Sequence, residues 1–136
     1  MLMMFQANAE KYGPLVGRLL LAFMFIMAGV DKINGYEGTQ AYMNSMGVPG
    51  ALLPLVIITE VVGGFAIVLG WQTRLAAFAL AGFTIISGLL FHYDPENQMQ
   101  MIMLMKNFSI AGGFLLLVAM GPGPFALDNR GKGSED

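Results

Sequence analysis

The sequence predicts an all-α fold, an integral membrane four-helix bundle with a short interfacial helix between the first and second spans. Two observations lead to this prediction. The mean hydropathy is +0.64 and only 12% of residues are charged, whereas a soluble domain carries about 25% charged residues. The apolar residues fall into four long runs, each able to cross the ~30 Å hydrocarbon core of a bilayer as a helix. Residues 1–136 are expected to form a single membrane domain.

The first span is predicted over residues 14–33, because Pro14 suits the first turn of a helix. Arg18 and Lys32 lie near its opposite ends. Both side chains can extend along the helix so that their charged groups reach the two membrane interfaces. For Arg18 the alternative is burial inside the bundle. The first residues lack a basic segment and an evident cleavage site, so we expect no removable signal peptide.

The second span is predicted over residues 51–70, with Glu60 near its middle. A carboxylate at that depth costs roughly 2.5 to 3.5 kcal/mol, so it must be neutral, paired or in contact with a wet cavity. Before this span, residues 34–50 are polar and rich in glycine and contain a candidate short helix that ends at Gly47. This helix would lie on the membrane surface or fold over the bundle, and a plain connector is the alternative.

The third and fourth spans are predicted over residues 74–92 and 100–120. Residues 70–74 are too few for anything but a tight helical hairpin, so the second and third spans are antiparallel neighbours. A Gly-Pro-Gly-Pro sequence stops the fourth helix, and residues 128–136 are expected to be a flexible cytoplasmic tail. Most basic residues fall on the side of the termini and the hairpin, which the positive-inside rule places in the cytoplasm.

Charge and composition exclude several functions. A net charge of −2 gives no reason to expect a nucleic acid partner. With one histidine and no cysteine, the sequence lacks an ordinary zinc, bis-histidine haem or iron–sulfur ligand set, so no metal site is predicted. The methionine-rich run over residues 99–105 is more typical of apolar packing than of a Cu(I) site.

Glu60 and Lys106 form the centre of a candidate site. At 1.5 Å per helical residue their depths differ by about 6 Å, within reach of a lysine side chain. The functional interpretation is an outward-opening polar pocket with this pair at its base, His92 as a proton donor near the mouth, and Tyr93 and Lys32 above. The structural alternative is that the pair only locks the bundle together and that His92 is an interfacial residue. The candidate catalytic residues are Glu60, Lys106 and His92.

Short motifs with a characteristic order extend from about Pro14 to Asp128. They are Gly17-Arg18-Leu19, Ala28-Gly29-Val30-Asp31-Lys32, Gly47-Val48-Pro49, Glu60-Val61-Val62-Gly63-Gly64, Thr73-Arg74-Leu75-Ala76-Ala77, Phe91-His92, Lys106-Asn107 and Gly121-Pro122-Gly123. In this order they resemble the DoxX family of small four-helix proteins of the bacterial inner membrane. The recurring polar positions of the family correspond here to Arg18, Lys32, Glu60, His92, Lys106 and Asn107.

The resemblance implies a membrane subunit linked to quinone or sulfur-compound oxidoreduction, with quinone as the candidate cofactor. Arg18, Lys32, Asn107 and Tyr93 are then the candidate cofactor-binding residues. The alternative is a non-catalytic membrane scaffold or assembly partner of a larger complex. A third hypothesis, a proton-coupled carrier, would require a homo-oligomer because four spans are few for one carrier. The expected partners are the lipid bilayer, a quinone-like small molecule, and a protein partner or a second copy.

Overall fold

The computed structural model describes residues 1–130, which form five α-helices and no strand. The helices are α1 (Leu2–Asn34), α2 (Tyr36–Ser45), α3 (Leu53–Leu69), α4 (Thr73–His92) and α5 (Gln98–Met120), with 3-10 turns at Gly50–Leu52 and Leu127–Asn129. The helices α1, α3, α4 and α5 are long and apolar enough to cross a membrane, α3 together with the turn before it. The predicted all-α four-helix bundle is therefore confirmed.

The first helix differs from its prediction because it begins at Leu2 and contains Pro14 in its interior. Proline has no backbone N–H, so the carbonyl four residues earlier, here that of Glu10, loses its helical hydrogen bond. Residues 1–13 are exposed, and solvent can therefore hydrogen-bond to this free carbonyl. The residues before Pro14 are mostly strong helix formers. The 33 residues of α1 extend about 50 Å, so the helix is longer than the ~30 Å hydrocarbon core.

The short helix α2 folds over one end of the bundle, called here the α2 end. Met43 is buried to 4% exposure, and the Tyr42 ring stacks on Phe91 of α4 with centroids 5.6 Å apart. The Gly50 N–H donates to Asn44 Oδ1 at 2.8 Å, which ties α2 to the start of α3. The expectation of a short helix is thus correct, and the alternative of a plain connector is wrong.

The core of the bundle is arranged around two helix pairs, α1 with α3 and α4 with α5, which meet through α3 and α4. Close approach of α1 and α3 depends on Gly64, because a Cβ there would lie 2.6 Å from Ile26 Cγ1. Only a few residues of α1 and α5 meet. The buried core residues are Ala22, Phe25, Ile67, Ala77, Leu80, Ala81, Ala111, Phe114 and Leu117.

The opposite end of the bundle, called here the hairpin end, includes the α3–α4 turn and the C-terminal segment. The Asp128 carboxylate accepts hydrogen bonds from the backbone N–H groups of Gln72 at 2.7 Å and Thr73 at 2.8 Å. The Asp128 N–H donates to the Gly70 carbonyl at 2.8 Å. The start of the predicted flexible tail, residues 128–136, is therefore bonded to the hairpin, and residues 131–136 lie outside the described residues.

Replacing Asp128 by Ala is expected to lower the free energy of unfolding by about 1 to 2 kcal/mol, because two N–H groups at the start of α4 lose their acceptor. Reversible unfolding in mixed micelles measures the change. Glu96→Ala, which removes an exposed carboxylate at the other end of α4, is the matched control and should change little. Equal stability of Asp128→Ala and the native protein would contradict this capping role.

Candidate functional site

A partly buried ion pair joins the last turn of α1 to the middle of α3. Lys32 Nζ lies 2.9 Å from Glu60 Oε1, and the two side chains are 30% and 4% exposed. The two residues meet because Gly29, one turn before Lys32, packs closely against Val61, which follows Glu60. Among residues 1–130, Glu60 Oε1 has this ionic contact but no hydrogen bond of good geometry. The pair removes most of the cost of an isolated charge at this depth.

The predicted pairing of Glu60 with Lys106 is wrong, because Lys106 is exposed on α5. Leu104 and Ala111 are buried and mark the inward face of that helix. Lys106 lies away from this face, since each residue turns a helix by about 100°. Its neighbour Asn107 is directed inward instead, and its Nδ2 donates to the Thr84 carbonyl at 3.1 Å.

A cavity of about 270 Å³ lies beside the ion pair, enclosed by parts of all five helices. Aromatic side chains form much of its wall, and α2 closes it at one end through Tyr42 and Met43. Polar and charged side chains form most of the rest of its lining. They come from Lys32, Thr39, Glu60, Thr84, Ser87, His92 and Asn107. Within residues 1–130, no group of three or more His, Asp or Glu side chains is arranged to hold a metal ion.

His92 lies at the last turn of α4 and lines this cavity. Its Nδ1 is 2.7 Å from Gln100 Oε1 on α5. With Oε1 as the acceptor, Nδ1 is the donor, and Nε2 is left as the acceptor of the ring. Tyr93, the next residue, is 62% exposed and does not line the cavity.

Arg18 is fully buried at the hairpin end and does not line this cavity. Its Nη1 donates to the carbonyls of Ile67 at 3.0 Å and Val68 at 3.2 Å, and its Nη2 donates to the carbonyl of Phe125. The last carbonyls of α3 have no partner within their own helix, and a guanidinium has enough donors to satisfy them. The interpretation that Arg18 extends to the membrane interface is therefore wrong, and burial is correct.

The structure thus brings four of the seven candidate residues to one cavity: Lys32, Glu60, His92 and Asn107. It leaves out Arg18, Lys106 and Tyr93. Sequence reasoning missed Thr84 and Ser87, whose signal was their spacing of three on an otherwise uncharged helix, which puts both on one face. It also missed Gln100, the partner of His92, because no residue pattern indicates that contact.

Four apolar helices of spanning length around a central cavity define a multi-pass membrane protein. The profile of the DoxX family matches residues 13–93, and the chain belongs to that family. It is 50% identical over 119 residues to the inner membrane protein YqjF of Escherichia coli (strain K12), covering 88% of this chain and 92% of YqjF. The protein is accordingly a multi-pass protein of the bacterial inner membrane.

Two further relatives match different fractions of this chain. The inner membrane protein YphA of Escherichia coli (strain K12) is 37% identical over 123 residues, covering 85% of this chain and 88% of YphA. A protein of Bacillus subtilis (strain 168) named "Putative oxidoreductase CatD" is 28% identical over 80 residues, 59% of each chain. No solved structure matches the chain.

Proposed function

We propose that the cavity beside Glu60 binds a quinone ring, or a similar small molecule with hydrogen-bonding oxygens, and that the protein is a membrane subunit of a quinone-dependent oxidoreductase. The observation that carries this proposal is the partly buried Lys32–Glu60 pair at the wall of a cavity that combines aromatic and polar side chains. An ion pair with a purely structural role would be enclosed by other side chains and would not border a cavity. Ionisable groups at membrane depth that border a cavity usually mark a binding site or a proton pathway.

The size and lining of the cavity support a single-ring ligand. Its volume of about 270 Å³ is close to the lower end of the range for small-molecule sites, about 300 to 1,000 Å³. Phe25, Phe83 and Phe91 provide apolar wall between the polar groups. This combination suits a flat ring whose oxygens need hydrogen-bond partners and whose carbon skeleton needs none.

The polar groups of the cavity supply the chemistry that a quinone needs. The Lys32 ammonium group has three N–H donors, and its contact with Glu60 leaves donors for a quinone oxygen. Reduction to the quinol consumes two electrons and two protons; the electrons come from a redox subunit of the same complex. The Lys32 ammonium would give a proton to one oxygen while the Glu60 carboxylate holds it in place, and His92 would take up a proton from water at Nε2 and pass it to the other oxygen; water would then reprotonate Lys32. The likeness to CatD is consistent with a redox role.

Replacing Glu60 by Gln is expected to weaken binding of a ring quinone by about 10-fold to 100-fold, because the Lys32 ammonium loses the carboxylate that holds it in place and, with it, the hydrogen bond from a charged donor to the quinone oxygen. The variant should stay folded, because glutamine has nearly the same volume. Equilibrium binding to the protein in nanodiscs measures the change, and circular dichroism checks the fold. Lys106→Gln, on the exposed side of α5, is the control and should bind as the native protein does. Normal binding and turnover by Glu60→Gln would refute the proposed site.

A second candidate function is an assembly partner without chemistry of its own. It is favoured by the N-terminal part of α1, where Leu2 and Phe5 are 77% and 70% exposed on a helix longer than a single span. Copurification from native membranes separates the two functions. A stable protein partner, together with failure of the native protein to bind quinone, would support the assembly role.

A further inference from the structure

A second depression, the α1–α5 groove, runs along the seam between these two helices. Its volume is about 1130 Å³, and it is lined mainly by small and apolar residues, among them Gly17 on α1 and Leu116 on α5. The groove exists because α1 packs on α3 and α5 packs on α4, so the two outer helices meet over few residues. At Gly17 an added Cβ would have no neighbour within 4 Å, so the groove is unfilled there.

The groove and the cavity share one wall residue, Met24. Met24 is 46% exposed, and its side chain is unbranched and flexible, so it separates the two spaces without a rigid barrier. Along α1 the groove extends from Met24 to Leu2, and the part between Met24 and Gly13 alone is about 16 Å long. That length accommodates an apolar chain attached to a ring in the cavity.

Charge favours an uncharged ligand head over a phosphate. In the cavity the charges of Lys32 and Glu60 offset each other, which leaves no cation to balance a phosphate. Arg18 lines the groove, but both of its Nη groups already donate to main-chain carbonyls, and only its buried Nε lacks an acceptor among the described residues. A neutral head with hydrogen-bonding oxygens and an apolar chain therefore fits the two spaces together better than a phospholipid does.

We propose that the α1–α5 groove holds the prenyl chain of the quinone whose ring occupies the cavity, and that this ligand enters sideways from the bilayer past Met24. This inference rests on the proposed function, because it assigns the chain of the same ligand. It adds a substrate class, a chain-bearing membrane quinone, and a route of entry.

The test compares a ring quinone without a side chain and the same ring with a two-isoprene chain, each titrated against the protein in nanodiscs. With both affinities expressed per quinone in the bilayer, the native protein is expected to bind the chain-bearing quinone at least about 10-fold more tightly, because the groove packs against the chain more closely than lipid tails do. Gly17→Leu fills the groove without a clash, since the Cβ position there is open. It should remove this preference and leave the affinity for the bare ring unchanged.

Gly112→Leu is the matched control, because Gly112 is exposed on α5, does not line the groove, and has an equally open Cβ position. It should keep the preference of the native protein. A photoreactive prenyl chain gives a readout that needs no variant, and its label is expected on the peptides that contain Met24 and Leu116. Labelling confined to other peptides would overturn the inference.

The outcomes separate the two proposals. If the native protein binds both quinones with equal affinity, or Gly17→Leu keeps the chain preference, the groove assignment is wrong and the ring site stands. If neither quinone binds, both proposals fail. If Gly17→Leu changes the protein from dimer to monomer with no effect on ligand preference, a second copy of the chain covers the groove and the inference is overturned.

Discussion

Replacing Arg18 by Ala is expected to lower the free energy of unfolding by about 3 to 5 kcal/mol, because it combines a large buried truncation with the loss of several hydrogen bonds. Arg18 is fully buried, and its guanidinium satisfies three carbonyls, two on α3 and one on the C-terminal segment. Alanine would leave the carbonyls of Val68 and Phe125 without this donor, leave that of Ile67 with only the Gly70 N–H, and create a void at the hairpin end. Equilibrium unfolding in mixed micelles provides the measurement.

Two further variants distinguish this role from a general effect of charge. Arg18→Lys keeps the positive charge but has a single nitrogen in place of the planar fork, so most of the stability should still be lost. Arg74→Ala removes an exposed arginine from the same end of the molecule and should change the free energy of unfolding by less than about 0.5 kcal/mol. If Arg18→Lys were as stable as the native protein, charge alone would account for Arg18.

Replacing Lys32 by Met is expected to cost about 3 kcal/mol, because it leaves the Glu60 carboxylate buried without its counter-charge. Replacing both residues by Met should recover most of this loss, since an apolar pair avoids the cost of taking two charges out of water. A double-mutant cycle from unfolding data gives the coupling between the two sites. Additive single effects would mean that the pair contributes no coupling.

The same double variant separates stability from function. It should be folded and stable, yet fail to bind a ring quinone, because the charged donor of Lys32 and the carboxylate that positions it are both removed. Retained binding in the Lys32→Met, Glu60→Met protein would place the ligand elsewhere. Stability and binding measured on one preparation therefore decide whether the ion pair serves packing or a ligand.

The spans were predictable because they depend on local composition. Runs of apolar residues bounded by glycine and proline located α3, α4 and α5 to within about two residues at each end. The start of α1 was not predictable in this way. Pro14 suits a helix start, but it is also tolerated inside a helix whose freed carbonyl faces solvent, and the sequence does not distinguish these cases.

The depth of the polar residues along the membrane normal was predictable from the sequence, but the direction in which their side chains point was not. Counting residues put Glu60 and Lys106 within reach of each other along the membrane normal, yet the rotation of α5 about its own axis decides which residues face inward. Arg18 shows a second reason for failure. Its partner Phe125 is 107 residues away in sequence, and no local pattern indicates that contact.

The bond between Asp128 and the α4 N-terminus spans 55 residues, and that between Arg18 and Phe125 spans 107. During synthesis, the first three spans leave the ribosome before either acceptor exists. The start of α4 must therefore wait, with water or lipid headgroups as temporary partners, until nearly the whole chain has been translated, and until then the Arg18 guanidinium has only its two acceptors on α3. A ribosome that stops shortly after Met120 would release a protein whose four spanning helices are complete but whose hairpin end cannot close.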